Sequence, residues 1–147
     1  MYWQYKDRDT SFDISSMVGL RLTKVERDIG DAFFKFTFDN GSFAFLFHTQ
    51  DCCETVDLED MVGDFEDLIG FTILVAEERH NDDLPPKDEW TESYTWTFYT
   101  FRNIGGSVDL RFYGQSNGYY SETVDFLLVK NDTPKFIEDE SYKDLFQ

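Results

Sequence analysis

The sequence predicts an α+β protein, mostly antiparallel β, made of internally duplicated β-hairpin units with short helical turns. Three observations carry this. Phe34, Phe36 and Phe38 alternate with Lys35 and Thr37, Asn40-Gly41 follows, and Phe43, Phe45 and Phe47 alternate again. Asn-Gly between two alternating runs specifies a hairpin, because both residues tolerate positive φ. A second hairpin follows the same logic: a β-forming run from Ser93 to Phe101, Gly105-Gly106, then alternating Val108, Leu110 and Phe112. Third, the order of segments recurs, with Gly19 matched by Gly70, Gln50 by Gln115, and Glu-Thr-Val-Asp at 54–57 matched by the same tetrapeptide at 122–125.

In chain order, the first dozen residues are polar and aromatic and suit an arm or an edge strand. Asp13 to Gly19 forms a helical turn with an acidic or hydroxyl cap and a glycine stop. Leu20 to Val25 alternates as a half-buried strand, and the Phe34–Phe47 hairpin follows. With Phe45 and Phe47 on the core face, the two-residue period puts His48 on the opposite face. Asp51 to Thr55 is a turn or irregular strand, and Val56 to Met61 resumes as a strand. Asp64 to Gly70 is a second helical turn, and Phe71 to Ala76 a second strand. Arg79 to Glu89, with Asn81-Asp82-Asp83 and Pro85-Pro86, is an exposed loop. After the Trp96–Phe112 hairpin, Ser116-Asn117-Gly118 turns tightly and Tyr119 to Val129 is a strand. Residues 131–147 are a polar tail in which Tyr142 to Phe146 suits a short helix. The whole is one domain, 1–147, with pseudo-repeats near 13–61 and 64–129 sharing one core.

Composition restricts function. There are 30 Asp plus Glu against 13 Lys plus Arg, a formal net charge of −17, so nucleic acid and anionic membranes are repelled and a basic partner is favoured. Aromatics reach 18 %, enough large rings to build a core despite that charge. No apolar run approaches the roughly 20 residues of a membrane span. The N-terminus, Met1 to Asp7, lacks an apolar signal core. The cysteines, Cys52 and Cys53, are adjacent and form no disulfide framework; a bond between neighbours would be strained, and a reducing cytoplasm is the expected compartment.

No chemistry-bearing constellation stands out. His48, Asp51, Cys52, Cys53 and Glu54 are all metal-ligand types, but successive strand residues face opposite ways and no second cluster completes a site, so no metal or other cofactor is expected. One cysteine packed in the core is the structural alternative. A cysteine nucleophile would need a lowered thiol pKa, and acidic surroundings push it up. Recognised catalytic and phosphate-binding motifs are missing, so no catalytic residues are assigned and an enzyme is not expected.

Two surfaces are candidates. Between Lys35 and Arg79 there is no Lys or Arg, and Asp57, Glu59, Asp60, Asp64, Glu66 and Asp67 are the candidate anchors for a basic partner. Spaced carboxylates imitate phosphates, and their field reaches about 8 Å in physiological salt. The alternative is a solvated face with no partner. The second surface is a ligand pocket from the two recurring loops: His48, Asp51, Glu54, Arg111, Tyr113, Asn117, Tyr119 and Tyr120. There, aromatic rings would stack on a nucleotide base and Arg111 would hold a phosphate.

His48-Thr49-Gln50-Asp51-Cys52-Cys53-Glu54, Ser93 to Tyr99 and Tyr113 to Ser121 together resemble a family of small uncharacterised proteins of bacteriophages and bacterial genomes, over roughly residues 14–128. The resemblance implies no particular chemistry. It implies a phage or prophage origin and action in the host cytoplasm. By analogy with small acidic phage proteins, it implies inhibition of a host defence protein, such as a CRISPR or restriction nuclease.

Overall fold

The computed structural model describes residues 9–28, 33–80 and 84–130. The loop tip 81–83, most of the N-terminal arm and the tail 131–147 lie outside them. Two antiparallel sheets share one core. The strands are β1 (Thr10–Ser11), β2 (Leu22–Asp28), β3 (Phe33–Phe38), β4 (Phe43–Phe47), β5 (Thr55–Val62), β6 (Val75–His80), β7 (Ser93–Asn103), β8 (Gly106–Ser116) and β9 (Asp125–Val129). One sheet has the order β1-β9-β4-β3-β2, the other β5-β8-β7-β6.

The α+β expectation is therefore corrected to a nearly all-antiparallel β fold. Among the described residues the helices are two four-residue 3-10 turns, η1 (Ile14–Met17) and η2 (Phe65–Leu68). Each starts at an Asp whose side chain accepts from the backbone N–H two residues on, Asp13 from Ser15 and Asp64 from Glu66. Each is followed by a glycine at positive φ, Gly19 at 92° and Gly70 at 93°. One turn between a cap and a glycine cannot grow into a helix that packs as a layer. Each buries two apolar residues three apart, Ile14 with Met17 and Phe65 with Leu68.

Strand exchange organises the two sheets. β2, β3, β4 and β9 occupy in one sheet the order that β6, β7, β8 and β5 occupy in the other. The strand after β4 crosses to pair with β8, and the strand after β8 crosses back to pair with β4. Both crossings use the recurring loops, so Tyr119 to Val124 is a connection and β9 starts only at Asp125. Gly19–Leu22 and Gly70–Ile73 likewise pair with one another, which delays β2 to Leu22 and β6 to Val75.

The shared core takes Phe34, Phe36 and Phe38 from β3, and Ala44 and Leu46 from β4. They meet Tyr99, Phe101, Val108, Leu110 and Phe112 of the other sheet. Phe36 touches Phe101 across the interface, ring centroids 5.6 Å apart. Phe45 and Phe47 are not in this core, contrary to expectation. With Phe43, Leu127 and Val129 they form a separate buried cluster, on the other face of β4 by the strand's two-residue period. All five residues of β4 are buried, so the size of its side chains did not mark the face toward the second sheet.

Matching Gln50 with Gln115 sets His48 against Tyr113, two residues before each glutamine, and the strand register corrects that match. In the register, Phe47 lies opposite Asp125 and Tyr113 opposite Asp57, the last residues of the two recurring tetrapeptides. Tyr113 is thus the counterpart of Phe47. His48 is one residue further and points the other way.

Candidate functional site

The two crossings meet at His48. Its Nδ1 lies 2.9 Å from the carbonyl oxygen of Thr123 in the second loop, and its Nε2 lies 2.9 Å from Glu54 Oε2 in the first. Both are acceptors, so the ring makes both bonds only with a proton on each nitrogen. Glu54 is buried and also accepts from the backbone N–H of Asp51 (3.0 Å) and Cys52 (2.8 Å), and from Gln50 Nε2 at 3.3 Å. Gln50 also donates to the Glu54 carbonyl at 2.5 Å, pinning the loop. Burial pushes the Glu54 carboxyl up, but the Asp51 and Cys52 amides and His48 outweigh it and hold it at about 2.

Glu122, its counterpart in the second loop, is also buried but satisfied by hydroxyls: Thr95 donates to Oε1 at 2.9 Å and Ser116 to Oε2 at 2.5 Å. Gly114 makes room for this loop, since a Cβ there would lie 2.1 Å from the Glu122 carbonyl oxygen. Asp125 ends the second loop. Burial raises its carboxyl, nearby His48 opposes the rise, and Glu78 adds to it.

A cavity of about 390 Å³ opens beside these carboxylates, walled by Cys53 and Glu54, by Asp88, Trp90, Thr91 and Glu92, and by Gln115, Ser116, Asn117 and Tyr120. Of the eight expected pocket residues, Glu54, Asn117 and Tyr120 line it. His48 stands behind Glu54, Asp51 is exposed, and Tyr119 is exposed with its ring 5.1 Å from Tyr120. Arg111 and Tyr113 are elsewhere, on the outer face of the second sheet. There Arg111 lies over Trp96, and Tyr113 is covered by Lys87, whose backbone N–H donates to its hydroxyl at 3.1 Å. The 88–92 wall was missed in the sequence; its one signal was Trp90, a large ring in a polar loop.

Cys52 and Cys53 are joined to each other, and both are exposed. This corrects both the expectation of two unbonded thiols and the alternative of a buried cysteine. Among the described residues no group of three or more His, Cys, Asp or Glu is placed to hold a metal ion.

The six expected anchors lie along one edge. β5 is the edge strand of its sheet and carries Asp57, Glu59 and Asp60; Asp64 caps η2, which carries Glu66 and Asp67. Lys87 Nζ pairs with Glu59 at 2.5 Å, and this hydrogen bond raises the Lys87 pKa. Arg111 reaches Asp60 at 4.0 Å. Among the described residues no ion pair engages Asp57, Asp64, Glu66 or Asp67.

Fold and site together define a two-sheet antiparallel β protein with an acidic edge strand and a polar cavity where its strands exchange. Residues 15–126 match the family described as Domain of unknown function (DUF7448), and the chain belongs to that family. No curated protein and no solved structure matches it. Among the described residues no helix is long and apolar enough to cross a membrane.

Proposed function

We propose that this is a phage-encoded acidic protein that occupies the nucleic-acid groove of a basic host defence protein, such as a CRISPR or restriction nuclease, in the host cytoplasm. One observation carries the reading: six carboxylates follow one another along the β5 edge and η2, and four of them have no ion-pair partner among the described residues. An edge strand offers backbone hydrogen bonds as well as charge, and its acids deter pairing with anything not basic. The complex forms without catalysis by this chain. Reversing Asp57, Asp64, Glu66 and Asp67 to Lys should slow association with the host protein that the wild type captures, and wild-type binding should weaken steeply with salt. Capture indifferent to both the reversal and salt would remove the proposal.

A second reading is a ligand-binding protein that uses the crossing loops. The cavity shared by Glu54, Asn117 and Tyr120 favours it. A nucleotide was the expected ligand, but Glu54, Asp88 and Glu92 line this cavity with no Lys or Arg, so its charge suits a cation better than a phosphate. A thermal-shift screen that includes nucleotides and cations tests this reading.

A further inference from the structure

We infer that the cavity at the strand exchange is a receptor for a guanidinium group, that of an arginine side chain presented by a peptide. The inference rests on the ligand-binding reading and is independent of the β5 edge.

The aromatic rim is the first observation. Trp90 is 82 % exposed and Tyr119 83 % exposed. Trp90 lines the cavity, and Tyr119 packs edge-on against Tyr120, which also lines it. Trp96, by contrast, donates its indole N–H to Pro85 and is covered by Arg111. Large rings left in water at the rim of a hollow are the residues that bury most on binding.

Charge selects the occupant. Glu54 forms part of the wall but is held by its own loop, so the free carboxylate is Glu92: it is exposed, and no hydrogen bond or ion pair engages it among the described residues. Asp88 spends Oδ1 on the Trp90 backbone N–H and the Thr91 hydroxyl, which fixes the loop carrying both Trp90 and Glu92. The side-chain carbonyls of Gln115 and Asn117 already meet the Thr91 hydroxyl (3.2 Å) and the Tyr119 backbone N–H (3.0 Å), but each keeps a second lone pair to accept with, and no lining residue is basic.

A guanidinium matches each part. Its plane stacks on an indole or phenol face, its fork of N–H donors reaches a carboxylate and amide carbonyls together, and it is weakly hydrated and so enters a partly enclosed site at low cost. A phosphate would face three carboxylates with no counter-charge.

The test is a titration of the full chain with N-acetyl-arginine amide, followed by two-dimensional amide NMR. The Trp90 indole signal is assigned with Trp90→Phe. Saturable shifts are expected at that indole and at the side-chain amides of Gln115 and Asn117. Glu92→Gln, at an exposed position with no partner among the described residues, should weaken binding roughly fivefold. No saturable shift at Trp90, or equal affinity for Glu92→Gln, would overturn the assignment. Parallel titrations with adenosine monophosphate and N-acetyl-glutamine amide separate the two levels of failure. If either moves Trp90 while the arginine probe does not, the guanidinium assignment falls and a ligand site remains. If no probe moves it, both fall.

Discussion

Arg21 and Thr72 face each other in an antiparallel bridge, and the hydrogen bonds on either side of it are reciprocal. Gly19 N–H donates to Ile73 at 2.9 Å, and Gly70 N–H donates to Leu22 at 2.7 Å. Leu22 N–H donates to Phe71 at 3.1 Å, and Ile73 N–H donates to Leu20 at 2.8 Å. Each donor and acceptor on one side has its sequence counterpart on the other. The short bridge ties the entry of the first sheet to that of the second, with a capped turn and a positive-φ glycine leading into each.

Replacing either glycine should therefore cost the same. Nothing lies within 4 Å of a Cβ at Gly19 or Gly70, so the penalty is that of the backbone alone. Gly19→Ala and Gly70→Ala should each destabilise by about 1–2 kcal/mol, the cost of a left-handed residue with a side chain. Urea unfolding of both variants checks the equality; a difference well beyond that range would mean that the two turns are not equivalent.

Glu54→Ala leaves the Asp51 and Cys52 amides and His48 Nε2 without their shared hydrogen-bond partner. Leaving buried donors without their carboxylate acceptor costs about 1–3 kcal/mol, measurable by urea unfolding at pH 7.

Acid should expose the same interaction. The folded pKa of Glu54 lies near 2, below its usual 4.5. Its contribution is therefore fully present above pH 4.5 and is lost as pH falls toward 2. Glu54→Gln should flatten the stability profile across that interval. Asp125 has the opposite sign: its raised pKa works against folding at neutral pH, so Asp125→Asn should be the more stable protein at pH 7.

Gly114→Ala would drive a methyl group into the Glu122 backbone, where no flexible side chain can yield. Overpacking of this kind costs about 1–3 kcal/mol, and a backbone obstacle puts it at the upper end. Hydrogen exchange should quicken across Glu122 to Val124 in the variant. Unchanged protection there would show that the loop does not rest on β8.

Phe45→Ala tests the second apolar cluster. Although Phe45 faces away from the core between the sheets, it is fully buried beside Phe43, Phe47, Leu127 and Val129. The loss should be about 3–5 kcal/mol, as for a core phenylalanine. A loss below 1 kcal/mol in thermal or urea unfolding would mean that this cluster contributes little.

Much of this architecture was legible in local chemistry. Asn40-Gly41 and Gly105-Gly106 announced the hairpins, and Gly19 and Gly70 announced the stops of the two turns. The face of β4 was not legible, because Phe43-Ala44-Phe45-Leu46-Phe47 is apolar at every position and a period of two has no phase in such a run. The exchange of β5 and β9 was hidden too: pairing of Asp57 with Tyr113 and of Asp125 with Phe47 leaves no short-range trace. At the site, Glu54 was among the expected pocket residues, whereas Glu122 was seen only as part of the recurring Glu-Thr-Val-Asp. Yet the opposite cavity wall comes from residues 88–92, which no sequence repeat links to the loops.

The strand exchange also sets a timetable. β4 gains its second neighbour only when β9 arrives, so the first sheet stays open along that edge until nearly all of residues 9–130 has left the ribosome. Until then β4 presents its backbone and the row Phe43, Phe45 and Phe47 to whatever is near. Sheets closed by such distant pairings form in milliseconds to seconds rather than microseconds, and an emerging chain with an unfinished apolar edge is prone to pair with its neighbours on the same message. The acids of β5 are already synthesised by then, and they put like charge on every such chain.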